Sequence, residues 1–151
     1  MKQLKEGDQA PEIHAKDQLG EDFHLSDLRG KKVVLYFYPK DDTPGCTKEA
    51  CNLRDNYSEL KKEGYEVIGV SADTELKHQK FIHKYQLPFK LLADTDKKVI
   101  NDYGVWGPKK FMGREFDGII RTTFIIDEEG NIEKIIDKVK TKDHTAQILN
   151  D

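Results

Sequence analysis

Cys46 and Cys51 are the only thiols in the chain, and the residues before them prepare a nucleophile. The run Pro39-Lys40-Asp41-Asp42-Thr43-Pro44-Gly45-Cys46 ends an apolar strand at a proline and opens a helix. Thr43 falls at the N-cap and Pro44 at the first helical position, a favoured pairing. Cys46 then sits in the first turn. Free backbone N–H groups and the positive end of the helix dipole favour a thiolate there. A second thiol on the same helix points to redox chemistry.

The two cysteines lie five positions apart. In an intact helix that spacing means a rise of roughly 7.5 Å, a turn of about 140° and Cα atoms about 8.6 Å apart. A disulfide rarely tolerates more than about 7 Å. The pair therefore predicts two states, a helix when reduced and unwound first turns when oxidised. Thioredoxin-like reductants place two residues between their cysteines, and here there are four. A zinc site needs a second ligand pair, and none lies nearby; no metal or cofactor is expected. His78 and His83 read as surface residues on different helix faces. From the cysteines alone, inert packing stays open as the alternative.

The elements that position these thiols follow from periodicity. Lys32 to Tyr38 is a continuous apolar run, expected as a central strand buried on both faces and ended by Pro39. Ala50, Leu53, Tyr57 and Leu60 continue from Cys46 at helical spacing until Gly64. Val67–Val70 reads as a strand, Leu76–Tyr85 as a helix, Phe89–Leu92 as a short strand and Lys97–Tyr103 as a short helix. A glycine-spaced, mobile loop is expected from Gly104 to Gly118. Thr122–Ile126 and Ile132–Val139 form a hairpin around Glu129-Gly130-Asn131, with a last helix over His144–Leu149. Ile13–Leu25 reads as an N-terminal hairpin followed by one helical turn at Ser26–Leu28. The fold class is α/β, a mixed sheet with helices on both faces, in one domain over 1–151.

Composition bounds the function. The chain has 151 residues, 36% hydrophobic and 35% charged, with net charge −3. It can bury a core without disulfide support, and its interleaved charges build no basic stripe for nucleic acid. Met1 opens on Lys-Gln-Leu-Lys-Glu-Gly with no apolar signal region or long apolar run, so no membrane and a cytoplasmic setting are expected. A structural disulfide is improbable there.

Pro39, Thr43 and Cys46 stand in the spacing P-x-x-x-T-x-x-C, which resembles the peroxiredoxin active-site motif. The wider string from Phe37 to Cys51 is similar to the bacterioferritin comigratory protein (PrxQ) subfamily. Tyr103-Gly104-Val105-Trp106-Gly107 and Arg121-Thr122-Thr123-Phe124-Ile125-Ile126-Asp127 carry the likeness downstream, over nearly the whole chain. The resemblance implies a thioredoxin-like fold and thiol-dependent reduction of hydrogen peroxide and organic hydroperoxides.

By position, the resemblance makes Cys46 the peroxidatic thiol and Cys51 the resolving thiol of an intramolecular disulfide. Thr43 would hydrogen-bond the thiolate and the peroxide, Arg121 would bring its guanidinium to the same point, Glu49 would orient that arginine and Pro39 would shield the pocket. The chemistry suits these types, because attack on an O–O bond moves charge onto the departing oxygen and fixed donors there favour the transition state. Arg121 supplies a permanent charge on a planar fork that lysine lacks. Blander roles exist for each: Thr43 as an N-cap, Glu49 as a first-turn acid, Arg121 as a surface residue beside Asp117.

Thioredoxin or a similar dithiol would re-reduce the disulfide, and the chain would act as a monomer, with weak dimerisation open. No cysteine follows Cys51, which leaves out the intersubunit disulfide of typical two-cysteine relatives. Trp106 and Phe111 are candidates for apolar surface or core. Gly104–Lys110 lacks P-loop spacing, so phosphate binding is not expected. Two rivals remain: a peroxide-sensing or chaperone-like module in which oxidation melts the helix, and a disulfide reductase on the same fold.

Overall fold

The computed structural model describes residues 3–150, with Phe111 described by its backbone alone. Met1 and the Phe111 side chain, named in the sequence analysis, lie outside what is described. The strand β3 (Lys32–Phe37) is the centre of a five-stranded sheet of order β5-β4-β3-β8-β9, with β4 (Tyr65–Ser71), β5 (Lys90–Ala93), β8 (Thr122–Ile126) and β9 (Ile132–Ile136). β3, β4 and β5 run parallel, while β8 and β9 pair antiparallel. The sheet is mixed, as the pattern of a βαβ unit followed by a late hairpin implies.

The alternation of side chains along β3 divides the core. Val33, Leu35 and Phe37 face one apolar cluster, which includes Ile13, Val99, Tyr103 and Phe124. Val34, Tyr36 and Tyr38 face the other, which includes Cys46, Ala50, Leu53, Phe81 and Ile148. Successive Cβ atoms point to opposite faces, so a run apolar at every position is buried twice. Gly69 of β4 leaves room for this packing: a Cβ there would meet Tyr36 Cζ at 2.9 Å and Leu91 Cδ2 at 2.7 Å.

The helix α1 (Pro44–Asp55) covers the second face, followed by α2 (Tyr57–Lys62). The single helix expected from Thr43 to Gly64 is therefore two. Asn56 interrupts it with φ −113° and ψ 12°, and its side-chain Nδ2 donates to Asn52 O at 2.8 Å. A short amide that bonds the backbone offers the chain an alternative to the helical ladder. Further on, α3 (Glu75–Tyr85) is capped by Thr74, which accepts from Lys77 N; α4 (Lys98–Asp102) and α5 (His144–Leu149) are short. No helix among the described residues is long and apolar enough to cross a membrane.

Two small hairpins complete the chain. β1 (His14–Lys16) pairs with β2 (Asp22–His24) within the expected range, and a 3-10 turn at Leu25–Leu28 follows. The loop expected from Gly104 to Gly118 is instead a hairpin of β6 (Trp106–Phe111) and β7 (Arg114–Ile119). Met112 and Gly113 both take positive φ, 52° and 80°, as a two-residue type I′ turn requires.

Candidate active site

The first turn of α1, the start of β8 and the N-terminus of α5 converge on Cys46. Its side chain is buried, with 1% exposure. Thr43 holds the N-cap position in extended backbone, and its carbonyl accepts from Thr47 N at 2.8 Å. Its hydroxyl does not cap the helix: it donates to Lys40 O at 2.9 Å. The oxygen keeps lone pairs that can accept a further proton. Pro39 is half-buried, separated from the end of β3 by Tyr38 alone.

Arg121, which follows Ile120 at the threshold of β8, spans two helix residues with its fork. Nη2 donates to Cys46 Sγ at 3.3 Å and Nη1 donates to Glu49 Oε1 at 2.6 Å. It is not paired with Asp117 on the surface; its side chain is 22% exposed. Burial works against its charge, but Glu49 and Cys46 hold its pKa above the ordinary arginine range. The reach is possible because residue 45 is glycine, whose Cβ, if present, would lie 3.2 Å from Arg121 Nη2.

Glu49 is completely buried, and burial pushes its pKa up to about 7 against the pull of Arg121. Oε1 takes the guanidinium, while Oε2 makes no hydrogen bond. Opposite Oε2, at 3.5 Å, stands Nε2 of His144. His144 is also completely buried, its pKa pushed down to about 4 chiefly by burial. Nothing in its sequence neighbourhood marks His144, because its partners come from distant strands and helices.

Cys51 lies further along α1 and is half-buried, and both thiols are free. With α1 intact they are not at disulfide distance. Burial raises the Cys51 pKa, opposed by Arg54 and aided by Asp55. No guanidinium donates to it as one does to Cys46, so the two thiols have unequal surroundings. From the hairpin, Lys109 Nζ donates to Ile119 O at 2.8 Å; burial and then Arg121 lower its pKa, while Cys46 opposes this. Trp106 is half-buried against the first core cluster, with Lys97 Nζ 5.1 Å from its ring centre.

His78 corrects the reading of a surface residue: it is completely buried. Nδ1 stands 2.6 Å from Asp41 Oδ2, and Nε2 stands 2.8 Å from Leu92 O. The ring bridges the Asp41 carboxyl and a backbone carbonyl, so each of its nitrogens has a polar partner. Asp41 Oδ1 accepts from Tyr38 OH at 2.5 Å, and Asp41 N donates to Asp73 Oδ2 at 2.8 Å. The clasp fixes the turn from Pro39 to Thr43, which leads into α1. Asp41, Asp73 and His78 have ligand-type atoms grouped within 4.8 Å. Those atoms are engaged with each other, with Tyr38, Ser71 and the backbone, which fits a hydrogen-bonded strut better than a cation site.

Residues 6–135 match the family model described as the AhpC/TSA family. The chain is 49% identical over 150 residues to peroxiredoxin Bcp of Escherichia coli (strain K12), covering 99% of this chain and 96% of that one. Among solved structures it resembles a bacterioferritin comigratory protein from Xanthomonas campestris, studied for alkyl peroxide reduction as a trapped intermediate/ligand complex. That match has a TM-score of 0.84 and 32% identity, covering 91% of this chain and 87% of the other. A cysteine-to-serine variant of Xylella fastidiosa PrxQ superposes with a TM-score of 0.91 at 28% identity, over 99% and 96% of the two chains.

Proposed function

The chain belongs to the AhpC/TSA family and is a peroxiredoxin, a peroxidase enzyme of thioredoxin-like fold, and on that premise we propose how its own residues run the cycle. Cys46 is the peroxidatic thiol. Its sulfur attacks one peroxide oxygen, the O–O bond breaks, and the departing oxygen leaves as an alcohol or water after taking a proton from solvent. Cys46 becomes a sulfenic acid. The observation that carries this reading is the 3.3 Å approach of Arg121 Nη2 to a buried Sγ at a helix N-terminus.

Arg121 favours the transition state by meeting charge that spreads from sulfur along the breaking bond, within a site that largely excludes water. Thr43, with its own proton committed to Lys40 O, accepts the O–H of the bound peroxide and orients it. Glu49 aims Arg121, and Pro39 walls the pocket. Cys51 then attacks the sulfenic sulfur; an S–S bond forms, the S–O bond breaks and water leaves. This step needs the first turns of α1 to unwind. Thioredoxin or a similar dithiol reduces the disulfide by exchange and is itself oxidised. The substrates are hydrogen peroxide and organic hydroperoxides, in line with the alkyl peroxide chemistry of the Xanthomonas campestris relative. The chain, one domain over 1–151, acts as a monomer in the cytoplasm.

The test adds one equivalent of hydrogen peroxide to reduced protein and follows free thiols and intact mass. Loss of both thiols in a monomer lighter by two hydrogens supports the cycle. Persistent thiols would return both cysteines to packing.

A further inference from the structure

Lys109 lies on β6 opposite Phe116, yet its side chain runs back along the hairpin towards the Trp106 end. The stem passes Gly118, where a Cβ would lie 3.1 Å from Lys109 Cδ. The ammonium then donates to Ile119 O at 2.8 Å. That peptide is held from its other side too, because Ile120 N donates to Val105 O at 2.7 Å. Arg121 is the next residue along. Holding a long lysine stem costs rotamer freedom, and the ammonium keeps two further N–H groups beyond the one given to Ile119.

The first attack on a hydroperoxide leaves a strong base. Once the O–O bond breaks, the departing oxygen is a hydroxide or an alkoxide and needs a proton. Titratable groups that interact electrostatically with Cys46 include Arg121, Tyr36 and Lys109. Arg121 does not release its proton. Tyr36 is sealed from solvent, with 1% exposure, so a proton lost there is not replaced. The Thr43 proton is committed to Lys40 O. Glu49 is turned elsewhere, with Oε1 on Arg121 and Oε2 opposite His144. Lys109 joins a releasable proton to a half-buried position that solvent still reaches. Burial, and then Arg121, hold its pKa below the ordinary lysine range against Cys46, which makes the ammonium a readier donor.

We propose that Lys109 is a further catalytic residue of the peroxidatic centre, the acid that protonates the departing oxygen. The inference rests on the peroxidatic reading of Cys46 and names the group that passes on the proton solvent supplies. As Cys46 Sγ bonds to the terminal peroxide oxygen, that oxygen keeps its hydrogen and the O–O bond breaks. Sulfur gives up two electrons, which reduce the peroxide. A hydrogen moves from Lys109 Nζ to the departing oxygen, which leaves as water or an alcohol. The neutral amine still donates to Ile119 O and takes back a proton from solvent.

The test compares oxidants whose leaving groups differ in their need for a proton. Hydrogen peroxide and tert-butyl hydroperoxide release strong bases, whereas peracetic acid releases acetate, which is stable as an anion. Stopped-flow fluorescence of Trp106, the single tryptophan, gives the rate of the first step on reduced protein. Lys109→Met keeps a stem beside Gly118 and removes the acid. It should slow both hydroperoxides about a hundredfold and peracetic acid less than about threefold. Lys109→Arg keeps the charge but holds its proton, so it should show the same selective loss. It also serves if Lys109→Met does not fold. A Lys109→Arg variant as fast as wild type would mean that charge alone matters, which overturns the proposal. So would an equal change, or none, with all three oxidants, the behaviour of a structural lysine. If wild type reacts with none of them, the peroxidase reading itself fails and this inference falls with it.

Discussion

Gly45 and Arg121 meet so closely that a single methyl on the helix would sit 3.2 Å from Nη2, the nitrogen that donates to Cys46. The glycine between Pro44 and Cys46 has an ordinary helical role as well, but its missing side chain is what admits the guanidinium. Gly45→Ala should therefore separate stability from activity. Alanine is the better helix former, so the fold should be unchanged or more stable by less than about 1 kcal/mol. The rate with hydrogen peroxide should fall roughly tenfold as Nη2 is displaced. Thermal melting and stopped-flow fluorescence on one preparation give both numbers.

Arg121→Lys keeps a positive charge but loses the fork that reaches Cys46 and Glu49 together. One ammonium cannot replace two directed N–H groups. The first-step rate should drop about a hundredfold, the usual cost of removing one transition-state donor. A loss under threefold would show that the charge alone suffices.

Stability should respond to pH in opposite ways when either member of the buried pair is removed. Glu49 rises from an ordinary 4.5 to about 7 on folding. Between those values the folded state keeps a proton that the unfolded state has released, so Glu49 alone makes stability fall as pH rises. His144 falls from 6.5 to about 4. Between those values the unfolded state keeps the extra proton, so His144 alone makes stability rise with pH. In the wild type the two slopes offset: folding moves one proton from imidazole to carboxyl without net uptake. Glu49→Gln should expose a rise from about pH 4 to 6.5, and His144→Phe a fall from about pH 4.5 upward. Each change is on the order of 3 kcal/mol, and urea denaturation at a series of pH values reads both.

His78→Leu removes the partner of Asp41 Oδ2 and leaves the buried carboxyl held by Tyr38 OH on Oδ1 alone. Leaving a buried polar group short of a hydrogen-bond partner costs about 1–3 kcal/mol, measurable by chemical denaturation. Asp41→Asn in the same chain should recover part of it, since the stranded charge is gone. The single variant should also react more slowly with peroxide, because the clasp holds the turn that carries Thr43.

Cys51→Ser should stop the cycle one step early. After one equivalent of peroxide the protein should be heavier by one oxygen atom, and further peroxide should add more oxygen at Cys46. A variant that instead loses two hydrogens would place the resolving thiol elsewhere, which this chain does not offer.

Local patterns in the sequence reveal most of the sheet, and contacts between distant segments reveal what the patterns miss. The apolar run of β3 and the helical spacing after Cys46 are visible residue by residue. The break at Asn56 is hidden, because Leu53, Tyr57 and Leu60 keep helical spacing through it. The β6–β7 hairpin is masked by Gly107, Pro108 and Gly118 and by a Met112-Gly113 turn without the usual asparagine or aspartate. Cys46, Thr43, Glu49 and Arg121 are legible through a motif. His78, His144 and the steric role of Gly45 depend on partners 37, 95 and 76 positions away, and no local signal carries that information.

Asn52 ties α1 to α5 by two bonds and to the segment before it by a third: Oδ1 accepts from Thr145 N, its carbonyl accepts from Thr145 Oγ1, and Nδ2 donates to Lys142 O. It stands next to Cys51, inside the stretch that a disulfide would unwind. Every turnover then includes a small folding reaction, with α5 as the fixed wall against which α1 re-forms. A helix anchored too firmly would leave the oxidised sulfur waiting for its partner and open to a second peroxide. One anchored too loosely would scatter the donors that make the first attack fast. The speed of this peroxidase is bounded on both sides by how easily the first turns of α1 lose and regain their helix.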